Sequence, residues 1–228
     1  MTALRYATLS PPMQHHHEIE MKFEVPDEVE LLRLATLLQR AGATLTANRE
    51  LQLRDVYFDT VDQALARQAM ACRLRRHDRD IWITIKSQVA LRNGIAVREE
   101  WEEILPSYGP QTAFPAHLDL PTVQKAIALA NHSPLQPLLL IEQQRTIHDV
   151  QLGDSTLEVA ADRVTTLAGD ETEYSSQVEL ELKQGRRSDL ETLSATLARL
   201  TGWMPADHSK LERGRFLLGL TADPSQQG

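Results

Sequence analysis

The chain has 228 residues, and its 24 lysines and arginines against 32 aspartates and glutamates give a formal net charge of −8. This length suits one domain or two small ones. The acidic balance argues against a protein whose main task is to coat nucleic acid. The lone Cys72 excludes a disulfide framework and a cysteine-rich zinc site. The sequence has neither an apolar run of 18 residues nor a secretory signal pattern, so we expect a cytoplasmic protein without a membrane span.

Both ends of the chain lack the apolar periodicity of a folded element. Residues 1–17 contain a Ser-Pro-Pro sequence and three adjacent histidines, so we predict a flexible N-terminal extension. The histidines, His15, His16 and His17, could bind a metal, but at a flexible end we interpret them as inert. Residues 221–228 are polar and are predicted to form a tail. The folded domain is therefore expected to span residues 18–220.

Strand-like and helix-like periodicities follow one another between these ends. Residues 18–25 alternate strictly between charged and apolar side chains, which predicts a strand with one face of each kind. Asp27 then offers an N-cap for an apolar helix that ends near Gly42. Further strands are predicted at 51–59, 71–76, 81–86, 95–104, 138–150, 156–165 and 177–183. Further helices are predicted at 122–131, 189–200 and 210–220. Strands predominate, and the pattern indicates an α+β fold.

Charge is concentrated on one face of the predicted strands. The sets that share a face are Glu18/Glu20/Lys22, Arg73/Arg75, Arg98/Glu100/Glu102, Glu158/Asp162 and Glu179/Glu181. If helices cover the opposite, apolar faces of a curved sheet, these charges line a lumen, and about eight strands make it wide enough for a small ligand. Buried charges of both signs suit a polyanion together with a divalent cation. The alternative is a set of solvated faces with weak surface ion pairs.

An ordered series of charged motifs gives the chain a family resemblance. Glu18-Ile19-Glu20-Met21-Lys22 matches the ExExK signature of the CYTH domains, also called triphosphate tunnel metalloenzymes. The later positions that resemble the family are Arg73-Leu74-Arg75, Ile83-Thr84-Ile85-Lys86, Arg98, Glu100, Arg145, Asp162, Glu179-Leu180-Glu181 and Ser209-Lys210. Within the family, the chain most resembles bacterial inorganic triphosphatases. The resemblance implies an eight-stranded antiparallel β-barrel tunnel with flanking helices, a triphosphate substrate and a requirement for Mg²⁺ or Mn²⁺.

The resemblance also implies a role for each charged position. The basic residues expected to bind the triphosphate are Lys22, Arg73, Arg75, Lys86, Arg98, Arg145 and Lys210. The carboxylates expected to bind metal are Glu18, Glu20, Asp162, Glu179 and Glu181. The expected catalytic residues are Glu18, Glu20 and Lys22, with one of the two carboxylates orienting the attacking water. Glu100 and Glu102 are further candidates, which otherwise orient Arg98 or another basic residue.

The expected function is metal-dependent hydrolysis of inorganic triphosphate to diphosphate and phosphate. The alternatives are hydrolysis of thiamine triphosphate, of a nucleoside triphosphate or of an RNA 5′-triphosphate, adenylate cyclase activity, or non-catalytic polyphosphate binding. Recognition of a base or ribose needs an aromatic or amide platform, and in a chain with 5% aromatic residues Trp82 is the obvious candidate, which favours the smaller substrate. Bacterial relatives often carry a helical CHAD domain after the CYTH domain. We expect none within this chain, and residues 222–225 suit the start of a linker.

Overall fold

The computed structural model describes residues 13–87, 95–106 and 113–221. The strands are β1 (Gln14–Glu24), β2 (Thr44–Asp59), β3 (Met70–His77), β4 (Asp80–Ser87), β5 (Ile95–Ile104), β6 (Gln136–Leu152), β7 (Ser155–Ala168), β8 (Glu171–Gln184) and the short β9 (Met204–Pro205). The helices are α1 (Leu34–Arg40), which follows a 3₁₀ segment (Glu28–Arg33), α2 (Ala64–Arg67), α3 (Pro121–Leu129), α4 (Arg187–Thr201) and α5 (Lys210–Leu217). None of these helices is long and apolar enough to cross a membrane.

The first eight strands close into a barrel. Their order is β5-β4-β3-β2-β6-β7-β8-β1, and β1 also pairs with β5, so the sheet returns on itself. Every pairing is antiparallel, with Glu18 opposite Arg98 on β5 and Glu20 opposite Glu181 on β8. Closure removes the exposed strand edges of an open sheet. The predicted eight-stranded antiparallel barrel with flanking helices is therefore confirmed across the described residues.

Two apolar cores cover the outside of the barrel, because alternate side chains of each strand point outward. The outward side chains of β1, β7 and β8, such as Phe23 and Leu180, pack against α1 and α4. Those of β2, β3 and β4, among them Cys72 and Ile83, pack against α3. Both outer cores consist mainly of buried aliphatic and aromatic groups, and the burial of such groups is the main favourable contribution to folding. Because the apolar faces point outward to the helices, the charged faces of the same strands point into the barrel.

Helix α5 fills one end of the barrel interior. Its Leu211 packs with the inward side chains of Leu139, Ile141 and Val164 in a third apolar cluster. Ser209 caps the helix in a reciprocal capping box with Glu212, which satisfies two backbone N–H groups at the helix start. The cap sets Lys210 at the first helical position, where its side chain extends to the charged part of the interior.

Several element boundaries differ from the sequence-based ones. β1 begins at Gln14, so residues 14–17 belong to a strand that pairs with β5, and not to the predicted extension. Their histidines alternate between the two faces, but three polar residues in a row carry no apolar period to reveal it. β2 and β8 start at Thr44 and Glu171, earlier than predicted. Residues 1–12, 88–94, 107–112 and 222–228 lie outside the described part of the chain, and with them most of the predicted extension and tail and the start of the 107–121 connection.

Candidate active site: a charged cavity inside the barrel

A polar cavity of about 250 Å³ occupies the barrel interior next to the start of α5. Among the described residues that line it are eight bases: Lys22, Arg73, Arg75, Lys86, Arg98, Arg145, Lys183 and Lys210. They also include eight acids: Glu18, Glu20, Asp55, Glu100, Glu102, Glu158, Glu179 and Glu181. Every predicted site residue is in these two sets except Asp162, which lies directly behind the lining and bonds to Arg145 and Lys210. The residues predicted from the sequence therefore lie around one cavity.

Glu179 is the centre of the most densely paired region. Its carboxylate accepts hydrogen bonds from Lys22 Nζ at 2.7 Å, Lys210 Nζ at 2.8 Å and Arg145 at 2.5 Å. Asp162 accepts two bonds from Arg145, at 2.7 and 2.6 Å, and one from Lys210 at 2.7 Å. Burial opposes ionisation of both carboxyls, but the surrounding cations lower the pKa of Asp162 and hold the pKa of Glu179 well below its ordinary value. Both acids are thus ionised and occupied by basic partners.

Asp55 organises the opposite wall. Arg75 donates to it from Nε and Nη2, both at 2.7 Å, and Gln143 Nε2 donates at 2.9 Å. Arg73 lies 3.4 Å from the same carboxylate. Burial raises the pKa of Asp55, but Arg75 and Arg73 outweigh it and bring the pKa down to about 2. The bidentate pair fixes the plane of the Arg75 guanidinium inside the cavity.

Glu18 and Glu100 form a carboxyl pair beside Lys86. Lys86 Nζ is 3.1 Å from Glu100 and 3.8 Å from Glu18. Burial and the neighbouring Glu18 raise the pKa of Glu100 to about 8, against the opposing effect of Lys86. The pKa of Glu18 moves the other way, because Lys86, His16 and Glu100 outweigh its burial. Two buried carboxyls in contact oppose each other's ionisation, so Glu18 and Glu100 titrate as a pair.

The acids around Glu181 have the chemistry of a site for a hard divalent cation. Burial raises the pKa of Glu181, and the charges of Glu18 and Glu158 raise it further, while Lys183, at 2.7 Å, opposes them. Buried carboxylates whose charges oppose one another are stabilised by an added cation with oxygen ligands. Ligand atoms of His16, Glu18 and Glu100 lie within 4.8 Å of one another. The acids of the lining therefore offer the oxygen ligands that a hard divalent cation takes, and Glu18 and Glu100 are the two that this group brings together.

Glu20 contacts bases on two adjacent strands, β1 and β5. Its carboxylate lies 2.9 Å from Arg98 Nε and 3.2 Å from Lys22 Nζ. Glu102 accepts a hydrogen bond from Thr84 at 2.8 Å and lies 3.8 Å from Arg73. Trp82, considered above as a platform for a base, is not among the described residues that line the cavity, and the aromatic group among them is Tyr57.

Four lining residues were missed by the sequence analysis as site residues: Asp55, Gln143, Glu158 and Lys183. Asp55 lies in β2 between the inward Leu53 and Tyr57, while the outward Val56 and Phe58 are also apolar. Apolar side chains on both faces hide the period of two, so the strand gave no sign of which face was internal. A carboxylate next to the apolar run Val56-Tyr57-Phe58 is the signal that would have found it, since a carboxylate buried among apolar side chains needs a partner.

Comparison with known proteins agrees with this geometry. An inorganic triphosphatase of Haemophilus influenzae is 31% identical over 202 residues, which are 89% of this chain and 55% of that protein. This chain thus spans about half the length of the curated relative it matches. A Hippeastrum structure named for an adenylyl cyclase with a dominant triphosphatase activity has a TM-score of 0.63 at 19% identity, covering 91% of this chain and 98% of that one. A Bacillus halodurans structure named as an adenylate cyclase has a TM-score of 0.61 at 19% identity, covering 87% and 97%.

These two structures share the fold of the barrel at an identity too low to carry an activity across. The family model of the CYTH domain matches residues 16–214, nearly the whole described chain. Its start at residue 16 agrees with a strand β1 that begins ahead of the ExExK motif. The match includes Glu18, Glu20 and Lys22 on β1 and Lys210 at the start of α5. The chain belongs to the CYTH domain family.

Proposed function

We propose that this chain hydrolyses inorganic triphosphate to diphosphate and phosphate with the help of a divalent cation, Mg²⁺ or Mn²⁺. The observation that carries the proposal is the cavity itself: about 250 Å³ with eight basic side chains in its lining. Pockets for drug-sized ligands are usually larger, about 300–1,000 Å³. The volume and the basic lining support a compact polyanion as the substrate.

The charge balance of the lining supports a metal requirement. Eight acids offset the eight bases, so the described lining is close to neutral as it stands. A triphosphate carries roughly four to five negative charges near neutral pH, and placing them among these acids alone would leave a large uncompensated charge in a low-dielectric space. Divalent cations that enter with the substrate remove this excess. The substrate is therefore proposed to be the metal complex of triphosphate.

We propose that the bases bind the phosphate chain by giving up contacts with their acid partners for contacts with phosphate oxygens. Arg75, Arg145 and Lys210 each sit in short ion pairs that fix their position before the substrate arrives. Fixed guanidinium and ammonium groups stabilise the charge that develops on phosphoryl oxygens without reorganisation. We assign the same role to Lys22, Arg73, Lys86 and Arg98. Lys183, paired with Glu181, is an added candidate.

The acids are proposed to divide into two groups. A bound divalent cation supplies neutralisation of phosphate oxygens and a more acidic water. Among the predicted ligands Glu18, Glu20, Asp162, Glu179 and Glu181, we propose for this cation Glu18 and Glu181, each near a single lysine, together with Glu20, whose contacts with Arg98 and Lys22 must open first. Asp162 and Glu179 position Lys22, Arg145 and Lys210 for the phosphates. We propose that Glu18 or Glu20 orients the attacking water and that Lys22 faces the phosphoryl group under attack.

The test is phosphate release from inorganic triphosphate, ATP and thiamine triphosphate in parallel, each with Mg²⁺, with Mn²⁺ and with a chelator. Release from inorganic triphosphate that is fastest of the three and is lost with the chelator is the expected result. Faster release from ATP or thiamine triphosphate would transfer the proposal to an organic substrate. Tight triphosphate binding by calorimetry, with no release from any of the three, would identify a binding module and refute the hydrolase.

A further inference from the structure

A second group of metal-binding side chains lies on the outside of the barrel, at the β1–β5 seam. His15 and His17 are two residues apart on β1, so both point outward while His16 points into the barrel. On β5, Glu99 lies directly opposite His17 and Trp101 directly opposite His15. One ligand atom from each of His15, His17 and Glu99 lies within 4.8 Å of the others, and all three residues are exposed.

The donor types select a class of metal ion. Two imidazoles and a carboxylate suit Zn²⁺, Ni²⁺, Co²⁺ or Cu²⁺, whereas Mg²⁺ takes oxygen ligands and waters. Ligands around a tetrahedral zinc ion, at about 2.0–2.1 Å from it, lie about 3.3 Å apart. His15 Nε2 and Glu99 Oε1 are now 4.0 Å apart, so rotation of exposed side chains is enough to bring the three atoms to coordination distance. Water can complete the coordination.

One ligand is already held in place by its neighbours. The His15 ring stacks on Trp101 with centroids 4.7 Å apart and planes 4° from parallel. Lys125 Nζ lies 3.9 Å from the centre of the Trp101 ring, which helps to fix the indole. Groups that orient a ligating imidazole reduce the entropy lost on metal binding. The site therefore has two ligands on one strand, a third across the seam and a support beneath the first.

We propose that His15, His17 and Glu99 form a surface site for a transition-metal ion of the Zn²⁺ or Ni²⁺ class, distinct from the cavity inside the barrel. The ion joins β1 to β5, the pairing that closes the barrel. A ligand that binds the folded state and not the unfolded chain raises Tm in a concentration-dependent way. Occupation of the site stabilises barrel closure, independently of the function proposed for the interior.

Ni²⁺ is the probe, titrated into the protein in excess Mg²⁺ so that oxygen-ligand sites are occupied. Calorimetry is expected to give one Ni²⁺ per chain, and tryptophan fluorescence is expected to fall over the same range, because the ion binds next to the ring stacked on Trp101. His17→Asn and Glu99→Gln each remove one ligand and are expected to weaken Ni²⁺ binding by about tenfold or more. The Ni²⁺-dependent rise in Tm is expected to disappear with them.

His16→Asn is the matched control, since it removes the adjacent imidazole on the opposite face of the same strand. It is expected to leave Ni²⁺ affinity and quenching unchanged, while Trp101→Phe keeps the calorimetric binding and loses most of the quenching. Circular dichroism of every variant verifies the fold, and Glu99→Gln serves where a histidine variant does not fold. Unchanged Ni²⁺ affinity in both His17→Asn and Glu99→Gln would overturn the proposal. So would a loss confined to His16→Asn, which places the ion inside the barrel.

Discussion

Replacing Arg75 with alanine tests the two roles assigned to a cavity base, ion pairing and substrate binding. Removal of one partner of a buried ion pair costs about 3–5 kcal/mol when the other charge is left alone. Asp55, which is 1% exposed, keeps Gln143 at 2.9 Å and Arg73 at 3.4 Å. We therefore expect a smaller loss, about 2 kcal/mol in the free energy of unfolding, or roughly 4–8 °C in Tm for a chain of this size.

Arg75→Ala is also expected to weaken triphosphate binding, and this effect has its own control variant. A bidentate, charge-assisted contact is worth about 1.5–3 kcal/mol, but Arg75 gives up part of its bond to Asp55 when it binds phosphate. We expect Arg75→Ala to weaken triphosphate binding about tenfold. The double variant Arg75→Ala/Asp55→Asn removes the unpaired charge, so it is expected to recover most of the lost Tm and none of the lost affinity.

The pH dependence of stability provides an independent measure of the same pair. The pKa of Asp55 is about 2 in the folded protein, against an ordinary value of 3.8. A lowered folded pKa adds stability, here about 2 kcal/mol, that is complete above pH ~4 and is lost as pH falls through ~2. In Arg75→Ala the folded pKa of Asp55 rises toward its ordinary value, so this contribution is smaller and its loss is complete at a higher pH. In Asp55→Asn the contribution is absent throughout.

The assays are thermal and urea unfolding between about pH 2 and 7 and calorimetry with triphosphate. Arg75→Lys keeps the charge without the bidentate geometry and is expected to fall between wild type and Arg75→Ala in both. A wild-type triphosphate affinity in Arg75→Ala would refute the role of this base in the cavity. A double variant no more stable than Arg75→Ala would show that the unpaired Asp55 charge is not the source of the destabilisation.

Two further predictions concern other parts of the site. Glu20→Gln and Glu179→Gln are expected to lower kcat by at least about a hundredfold and to leave triphosphate affinity, measured without metal, within a few-fold, since the bases that bind the phosphates remain; turnover at the parent rate in both would contradict the roles given to these acids. Ser209→Ala removes the α5 cap and is expected to lower the free energy of unfolding by about 1 kcal/mol. It is also expected to raise KM, because Lys210, which binds the substrate, is the next residue of the helix. Ser209→Thr keeps a capping hydroxyl and should retain both properties, as measured by Tm and steady-state kinetics.

The charged face of the barrel was predictable wherever the opposite face was apolar. β1 shows this best, because strict alternation over residues 18–25 and the ExExK motif agree on which side chains point inward. The same reasoning failed in β2, whose inward Asp55 has apolar neighbours on both faces. It also failed at His15 and His17, since a row of histidines has no hydrophobic period. Side-chain alternation decides faces only when the two faces differ in polarity.

The closure of the barrel and the pairing of its charges were not accessible from alternation. Glu18 and Arg98 are opposite each other on strands 80 residues apart in the chain, and that register depends on tertiary packing. The family resemblance implied the barrel and a metal-binding role for Asp162 and Glu179, but it did not indicate that Lys22, Arg145 and Lys210 pair with them. The sequence indicates which charged residues share a strand face, and the tertiary structure shows which of them form ion pairs.

That mutual neutralisation predicts cooperative binding of metal and triphosphate. Each of the eight described bases that line the cavity lies within ion-pair distance of an acid, as Lys86 does of Glu100 and Arg98 of Glu20. A phosphate that takes a base leaves its acid uncompensated, and a divalent cation then stabilises that acid. The coupling must be reciprocal, and about 1–3 kcal/mol, or 5- to 150-fold in affinity, is typical.

Calorimetry with Mn²⁺ and a non-hydrolysable imido analogue of triphosphate measures this coupling: each ligand is expected to bind more tightly in the presence of the other. Equal affinities with and without the second ligand would mean that the bases bind phosphate without releasing their acids, and that the ion pairs of the cavity serve the fold alone.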